Sequence, residues 1–213
     1  MGSGPERMNK MGWIELIVGC MFAGKTEEFI RRLIRYKFGK KRIIVFKPEI
    51  DKRYSEDNVQ THHGIRHEAN PVKDSKALLK LLKNKEFELD ANKKFDVIGI
   101  DEIQFFDKGI VKVVEDLANE GYIIVANGLD KDYKSDPFKN VFELLPLAEY
   151  VEKLSALCSQ CGGHANRTQR LVKGLPVRDT DGPLVLISGE DSYEARCRHC
   201  YVKPNVNKKR KTK

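Results

Sequence analysis

The chain has 213 residues, of which 40% are hydrophobic and 33% charged; these are the proportions of a soluble globular protein with one ordinary domain and a small appendage, not of a disordered chain. Lys and Arg number 39 against 31 Asp and Glu, a formal charge of +8, which excludes an acidic solvating protein and favours anionic partners such as phosphates or nucleic acid. No apolar run approaches the ~18 residues of a membrane helix. The stretch 12–24 is interrupted by Glu15 and is followed by no small-residue cleavage site, so neither a membrane span nor a signal peptide is expected.

Residues 1–11 are polar and rich in turn formers, a flexible leader. Trp13 to Val18 has the length and apolar character of a strand, and Thr26 to Phe38 reads as a helix with Phe29, Ile30, Leu33 and Ile34 on one face and Gly39 at its end. The alternation repeats. Ile43 to Phe46 is a buried-strand candidate closed by Pro48, and 54–71, polar with three histidines, reads as an exposed loop or hairpin. Ser75 can cap a helix carrying Leu78, Leu79, Leu81 and Leu82. Phe95 to Ile100 is the next strand. Asp107 can cap a helix with Ile110, Val111, Val113, Val114 and Leu117, stopped by Gly121. Tyr122 to Ala126 is again a strand, Phe138 to Leu145 a short helix ended by Pro146, and Val151 to Leu157 a last strand. Continuous apolar strands separated by amphipathic helices predict an α/β fold, a mostly parallel sheet with helices on both faces. Such sheets bind ligands at the carboxyl ends of their strands.

Gly19-Cys20-Met21-Phe22-Ala23-Gly24-Lys25-Thr26 fits G-x-x-x-x-G-K-[ST] without mismatch, between a predicted strand and a predicted helix. The glycines let main-chain N–H groups curl around a polyphosphate while the helix directs its positive end at it. Lys25 would reach the β and γ phosphates and the Thr26 hydroxyl would ligate Mg²⁺. The fold is therefore expected to be of the P-loop, RecA-like kind. Asp101-Glu102 ends the strand beginning at Phe95. A carboxylate there can hold Mg²⁺ beside the loop, and Glu102 can act as base on an attacking hydroxyl or water. Together these predict that ATP binds with Mg²⁺ and that its γ-phosphoryl is transferred.

Composition shifts after Leu157 toward Gly, Cys and Arg. Cys158-x-x-Cys161 and Cys197-x-x-Cys200 are two knuckles separated by 35 residues. Each puts two thiolates on one side of a tight turn, and two make a closed tetrahedral site for structural Zn²⁺. Five cysteines without a secretion signal point to a reducing compartment, hence the cytoplasm. Cys20 is the odd one, a bystander or a thiol open to oxidation. The expected organisation is a leader (1–11), a nucleotide-binding domain (12–157), a zinc-stapled substrate-covering segment (158–204) and a basic tail (205–213). The 35-residue loop stapled at its base is expected to cover an acceptor substrate.

These residues resemble the cytosolic (type II) thymidine kinase family. The likeness runs from about Gly12 to Pro204. Its markers are the phosphate loop; Phe46-Lys47-Pro48 with Asp51 and Arg53; Asp101-Glu102-x-Gln104-Phe105-Phe106; Gly128-Leu129-Asp130-x-x-Tyr133; Pro137-Phe138; and the knuckles with Tyr193 before the second. The resemblance implies ATP-dependent 5′-phosphorylation of thymidine in a homotetramer, with structural zinc, a substrate-enclosing lasso and feedback by dTTP. It gives Glu102 the role of catalytic base and Asp101 that of the Mg²⁺-associated carboxylate. Asp51, Arg53 and Gln104 belong with the ATP and Mg²⁺ site. Met21, Phe105, Leu129 and Tyr133 match the thymine pocket, and Thr168, Leu184, Val185, Leu186, Ile187, Ser188 and Tyr193 match the lasso. Cys20 stands where proline is common in the family, Tyr133 where phenylalanine is frequent and Ser188 where glycine is.

The rival reading is a nucleic-acid-dependent P-loop ATPase with a zinc module, since Asp101-Glu102-Ile103-Gln104 also reads as a DExx box. One sheet domain leaves no room for a second motor domain, and no aromatic array for stacking single strands is present. Neither nucleic acid nor membrane is expected as a partner. Arg31, Arg32, Arg35, Lys37, Lys40 and Lys41 read as a solvated helix face, and His62, His63 and His67 as ordinary exposed histidines.

Overall fold

In the computed structural model, residues 12–49, 58–60, 66–89, 94–178 and 191–204 are described. Six parallel strands form the main sheet. In chain order the first elements are β1 (Trp13–Gly19), α1 (Lys25–Phe38), β2 (Ile43–Pro48), the short β3 (Asn58–Gln60) and β4 (Arg66–Glu68), β5 (Asn70–Val72) and α2 (Ser75–Leu89). There follow β6 (Val97–Ile100), a 3₁₀ turn at Ile103–Phe105, α3 (Gly109–Asn119), β7 (Ile123–Leu129), α4 (Lys139–Leu144) and β8 (Tyr150–Leu154). The strand order is β5-β2-β6-β7-β1-β8. Strands β1, β6 and β7 are buried along nearly their whole length, as strands covered on both faces must be.

The helices divide unequally. Phe29, Ile30 and Leu33 of α1 pack on Ile17, Val45, Val97 and Val125. On the opposite face α2, α3 and α4 place Leu78, Leu82, Ile110, Val114 and Leu144 on Leu16, Val18, Ile98, Ile100, Ile124 and Ala126. Alternate residues of one strand thus feed two cores. Among the described residues no helix is long and apolar enough to cross a membrane.

Three local expectations change. The stretch expected to be an exposed loop or hairpin does contain the antiparallel pair β3–β4, but it ends in β5, which joins the main sheet beside β2 with Pro71 opposite Lys47. Proline is tolerated there because β5 is an edge strand, and Asn70 Nδ2 pins it by donating to the Val45 carbonyl at 3.0 Å. The cap of α2 is Asp74 rather than Ser75. Asp74 Oδ1 accepts the Ala77 N–H at 2.8 Å, while the Ser75 hydroxyl and N–H donate to Asp107 at 2.9 and 2.7 Å. The last predicted strand breaks at Ser155. β9 (Ala156–Leu157) leaves the main sheet to pair with β10 (His164–Ala165), followed by β11 (Arg167–Val172), β12 (Leu175–Pro176) and β13 (Asp191–Arg196). Order β12-β11-β13 is a small antiparallel sheet, so the long loop between the knuckles has strands at both ends.

Arg32 also departs from the solvated face, for it is buried. Its guanidinium donates to Glu15 at 2.8 Å and Glu28 at 2.7 Å and closely contacts Glu152. Glu15, 4% exposed, also accepts from Trp13 Nε1 at 3.1 Å and from the Tyr36 hydroxyl. Burial pushes the Glu15 carboxyl up, but the Tyr36, Trp13 and Arg32 hydrogen bonds outweigh it and leave the pKa lowered. Arg32→Ala would strand a buried carboxylate and is expected to cost about 3–5 kcal/mol in urea unfolding. Glu28 is held at about 2, against an ordinary 4.5, first by the Arg31 hydrogen bond and then by Arg32. A depressed folded pKa contributes stability that is complete above the unfolded value and disappears as pH falls through the folded one. Stability should therefore fall between about pH 4.5 and 2, and Glu28→Gln should flatten that limb in acid unfolding curves.

Candidate active site

The phosphate loop leaves the carboxyl end of β1, where Gly19 lies between Leu129 of β7 and Leu154 of β8. Gly24 sits at φ 79°, the left-handed region that glycine enters without a Cβ clash, and starts α1. Phe22 also has positive φ, at 66°. Lys25 is buried, and its Nζ donates to the Cys20 carbonyl at 2.8 Å. Burial lowers its pKa, opposed by the charges of Glu102, Asp101 and Asp130 around it. Thr26 is half-buried in the first turn of the helix.

Strand β6 delivers Asp101 and Glu102 one strand further away, with β7 between it and β1. The end of β7 makes the connection. Asn127, 1% exposed, donates through Nδ2 to Asp101 Oδ1 at 2.7 Å and accepts the Glu102 N–H at 3.3 Å. Glu102 is held at φ 50°, a conformation costly for a residue with a Cβ and typical of functional positions when the surroundings enforce it. Gln104 Nε2 donates to the Glu102 carboxylate, and Gln104 Oε1 accepts the Leu129 N–H at 3.1 Å. Gly128 permits this approach, since a Cβ there would lie 2.5 Å from Gln104 Oε1. Both ends of the Gln104 amide are thus engaged in orienting Glu102.

Asp130 follows directly. Its N–H points at the Gly19 carbonyl at 3.4 Å, and its Oδ2 meets Lys131 at 3.1 Å and Lys153 at 3.0 Å. Its buried Oδ1 has no partner among the described residues. Neither Asn127 nor Asp130 was expected as a site residue from residue chemistry. The signal available was a polar residue at the closed end of an apolar strand, Ile123-Ile124-Val125-Ala126-Asn127.

Several of the expected pocket residues have defined neighbours. Phe105 meets Phe138 edge-on, centroids 6.2 Å apart. Tyr133 is 2% exposed. The Arg170 guanidinium lies 5.2 Å and Lys134 Nζ 5.5 Å from its ring centroid, and its carbonyl accepts the Tyr201 hydroxyl at 2.6 Å. Tyr193 stands opposite Arg170 across β11–β13. Thr168, expected among the base-holding residues, has its Oγ1 accepting the Met21 N–H at 3.1 Å. Asp51, Arg53, the segment Leu184 to Ser188, and His62 and His63 lie outside the described residues.

The four cysteines converge as the spacing required. Every pair of the sulfurs of Cys158, Cys161, Cys197 and Cys200 lies within 4.8 Å, and Cys161 and Cys197 are 3.6 Å apart. Thiolates around a tetrahedral zinc at ~2.3 Å would be about 3.8 Å apart, so the set fits one ion. The knuckles repeat one turn, Gly162 N–H to Cys158 O at 2.8 Å and Tyr201 N–H to Cys197 O at 3.0 Å. The four sulfurs divide their protons unevenly: backbone hydrogen bonding from Cys197 brings the Cys158 thiol down to about 6, while hydrogen bonds with Cys197 and Cys161 push that of Cys200 up to about 12. Cys20 is shielded from solvent. It is 1% exposed, in a cluster with Ala156, Cys158, Ala165, Ala195 and Cys197. Burial raises its pKa.

The site therefore joins a loop of phosphate-binding sequence pattern, an oriented pair of carboxylates and a four-thiol module. A family model described as thymidine kinase matches residues 12–201. The chain is 55% identical over 192 residues to a thymidine kinase of Mesoplasma florum, covering 90% of this chain and 92% of that one. It is 53% identical over 196 residues to thymidine kinases of Mycoplasma capricolum subsp. capricolum and Mycoplasma mycoides subsp. mycoides SC, covering 92% of this chain and 91% of each. A likeness of this depth, spanning both the phosphate loop and the second cysteine knuckle, establishes that the chain belongs to the thymidine kinase family.

Proposed function

We propose that the protein transfers the γ-phosphoryl of ATP to the 5′-hydroxyl of thymidine, giving dTMP and ADP. The observation that carries the reading is the orientation of Glu102. It is fixed by Asn127 and Gln104 at the carboxyl ends of adjacent strands, with its charge within reach of Lys25. The loop amides and Lys25 hold the polyphosphate. The thymidine 5′-oxygen bonds to the γ-phosphorus as the bond from that phosphorus to the ADP oxygen breaks, and Glu102 accepts the hydroxyl proton. Thr26 and Asp101 are the hard oxygen donors that would hold Mg²⁺, which when bound neutralises charge on the phosphates. The thymine base belongs against Met21, Phe105, Leu129, Tyr133 and Thr168, closed over by Tyr193 and the segment Leu184 to Ser188, with Asp51 and Arg53 near the phosphates. The four cysteines would hold Zn²⁺ as a structural ion, since four thiolates complete a tetrahedral shell and leave no position for a reacting water.

The reading includes a homotetramer, dTTP as feedback inhibitor and a cytoplasmic location, the last supported by a thiol cluster that needs a reducing environment. A nucleoside panel with ATP and Mg²⁺ tests it. ADP formation should depend on thymidine and be indifferent to DNA. DNA-stimulated hydrolysis without a nucleoside requirement would favour the ATPase reading.

A further inference from the structure

We propose that the four-cysteine module positions the phosphate loop, and that Cys20 and Thr168 are the positioning residues through which a bound metal sets the affinity for ATP. This rests on the reading of that loop as the ATP site. A phosphate loop binds through main-chain N–H groups, so affinity depends on holding those amides to within about 0.5 Å of the productive arrangement. Strand β1 and helix α1 hold the two ends of the loop. Its middle is held by the module. The Cys20 thiol donates to the Ala165 carbonyl at 3.4 Å. The Met21 N–H donates to Thr168 Oγ1 at 3.1 Å, and Thr168 is itself 4% exposed. Ala23 packs on the same cluster of small buried side chains as Cys158 and Cys197.

Both contacts lead directly to the metal ligands. Ala165 pairs with Ala156 across β9–β10, a hairpin closed by the Cys158 N–H donating to the Gly163 carbonyl at 2.8 Å. Thr168 stands opposite Ala195 across β11–β13. The Ala195 carbonyl accepts the N–H of Ser159, beside Cys158, at 3.0 Å, and Ala195 lies two residues before Cys197. The first and second knuckles therefore meet at the residue that faces Thr168. A metal that fixes the four sulfurs fixes the Ala165 carbonyl and the Thr168 hydroxyl, and through them two consecutive residues of the loop. The module on this account serves the nucleotide as well as the acceptor that it covers.

The test measures the Kd of a non-hydrolysable ATP analogue, without nucleoside, on the full zinc-loaded chain. Wild type is compared with Cys20→Ala, Thr168→Val and Thr168→Ser, with metal content and thermal unfolding recorded for each. Thr168→Val, which deprives the half-buried Met21 N–H of its acceptor, should weaken analogue binding about tenfold. Thr168→Ser should restore it, and Cys20→Ala should weaken it severalfold. Wild type stripped of metal by a chelator, where it stays folded, should lose affinity to a similar extent, and chelation should add little to Thr168→Val. A purely structural role would lower the unfolding temperature and leave the Kd of the folded protein unchanged. The proposal is overturned if folded, metal-containing Cys20→Ala and Thr168→Val bind within twofold of wild type, or if stripped, folded wild type binds as tightly as before. Should stripping unfold the chain, the metal-containing variants still decide. Failure of the wild type itself to bind the analogue would reject the ATP-site reading and this inference with it.

Discussion

Glu102→Gln is expected to lower kcat by about 10²–10⁴-fold, the usual contribution of a positioned base, while the Kd for ATP stays near that of the wild type. Glutamine keeps the size of the side chain and can still meet Gln104, but it cannot accept the proton of the attacking hydroxyl. The backbone strain at Glu102, φ 50°, is held in place by the Asn127 side chain and by the short turn that follows. The substitution should therefore leave the strand end where it is. Initial rates of ADP formation, with analogue binding measured in parallel, separate the outcomes. A variant with full activity would assign the proton to another group.

The second large effect concerns the cysteines. Cys197→Ala should abolish metal binding and unfold the module, because a structural zinc contributes about 10–16 kcal/mol in isolated zinc-binding peptides, against a total stability of about 5–15 kcal/mol for a typical domain. Cys197 directly follows β13, whose ladder with β11 is much of the small sheet. Elemental analysis should find about one zinc per wild-type chain and none in the variant, and limited proteolysis should cut the variant within 156–204. A metal-free wild type with four freely titrating thiols and an intact module would overturn this.

The parts of the site that are legible in the sequence are those whose chemistry is local in sequence. The phosphate loop, the Asp101-Glu102 strand end and the two knuckles each need only a few consecutive residues, so their spacing states their purpose. The contributions that the sequence does not show come from tertiary placement. Asn127 and Asp130 matter because β7 lies between the strand that ends in the loop and the strand that ends in the carboxylates, and strand order is not written in periodicity. Arg32 resembles its exposed neighbours Arg31 and Arg35 in composition, and only the position of Glu15 on β1 and Glu152 on β8 turns it inward. The burial of Cys20 is hidden for the same reason, since it is supplied by residues more than a hundred positions away. Pro71 and Ser75 show the limit of local propensity. A proline fits a strand when that strand is an edge, and a serine beside an aspartate yields the cap to it when its own hydroxyl is engaged by Asp107.

The most direct measurement follows the terminal phosphoryl itself. With γ-labelled ATP, Mg²⁺ and thymidine, the label should appear on the 5′-oxygen of the nucleoside as dTMP, one equivalent for each ADP formed, and 5′-deoxythymidine, which lacks that oxygen, should take up none. Label recovered chiefly as inorganic phosphate at the same rate with or without thymidine would contradict the account.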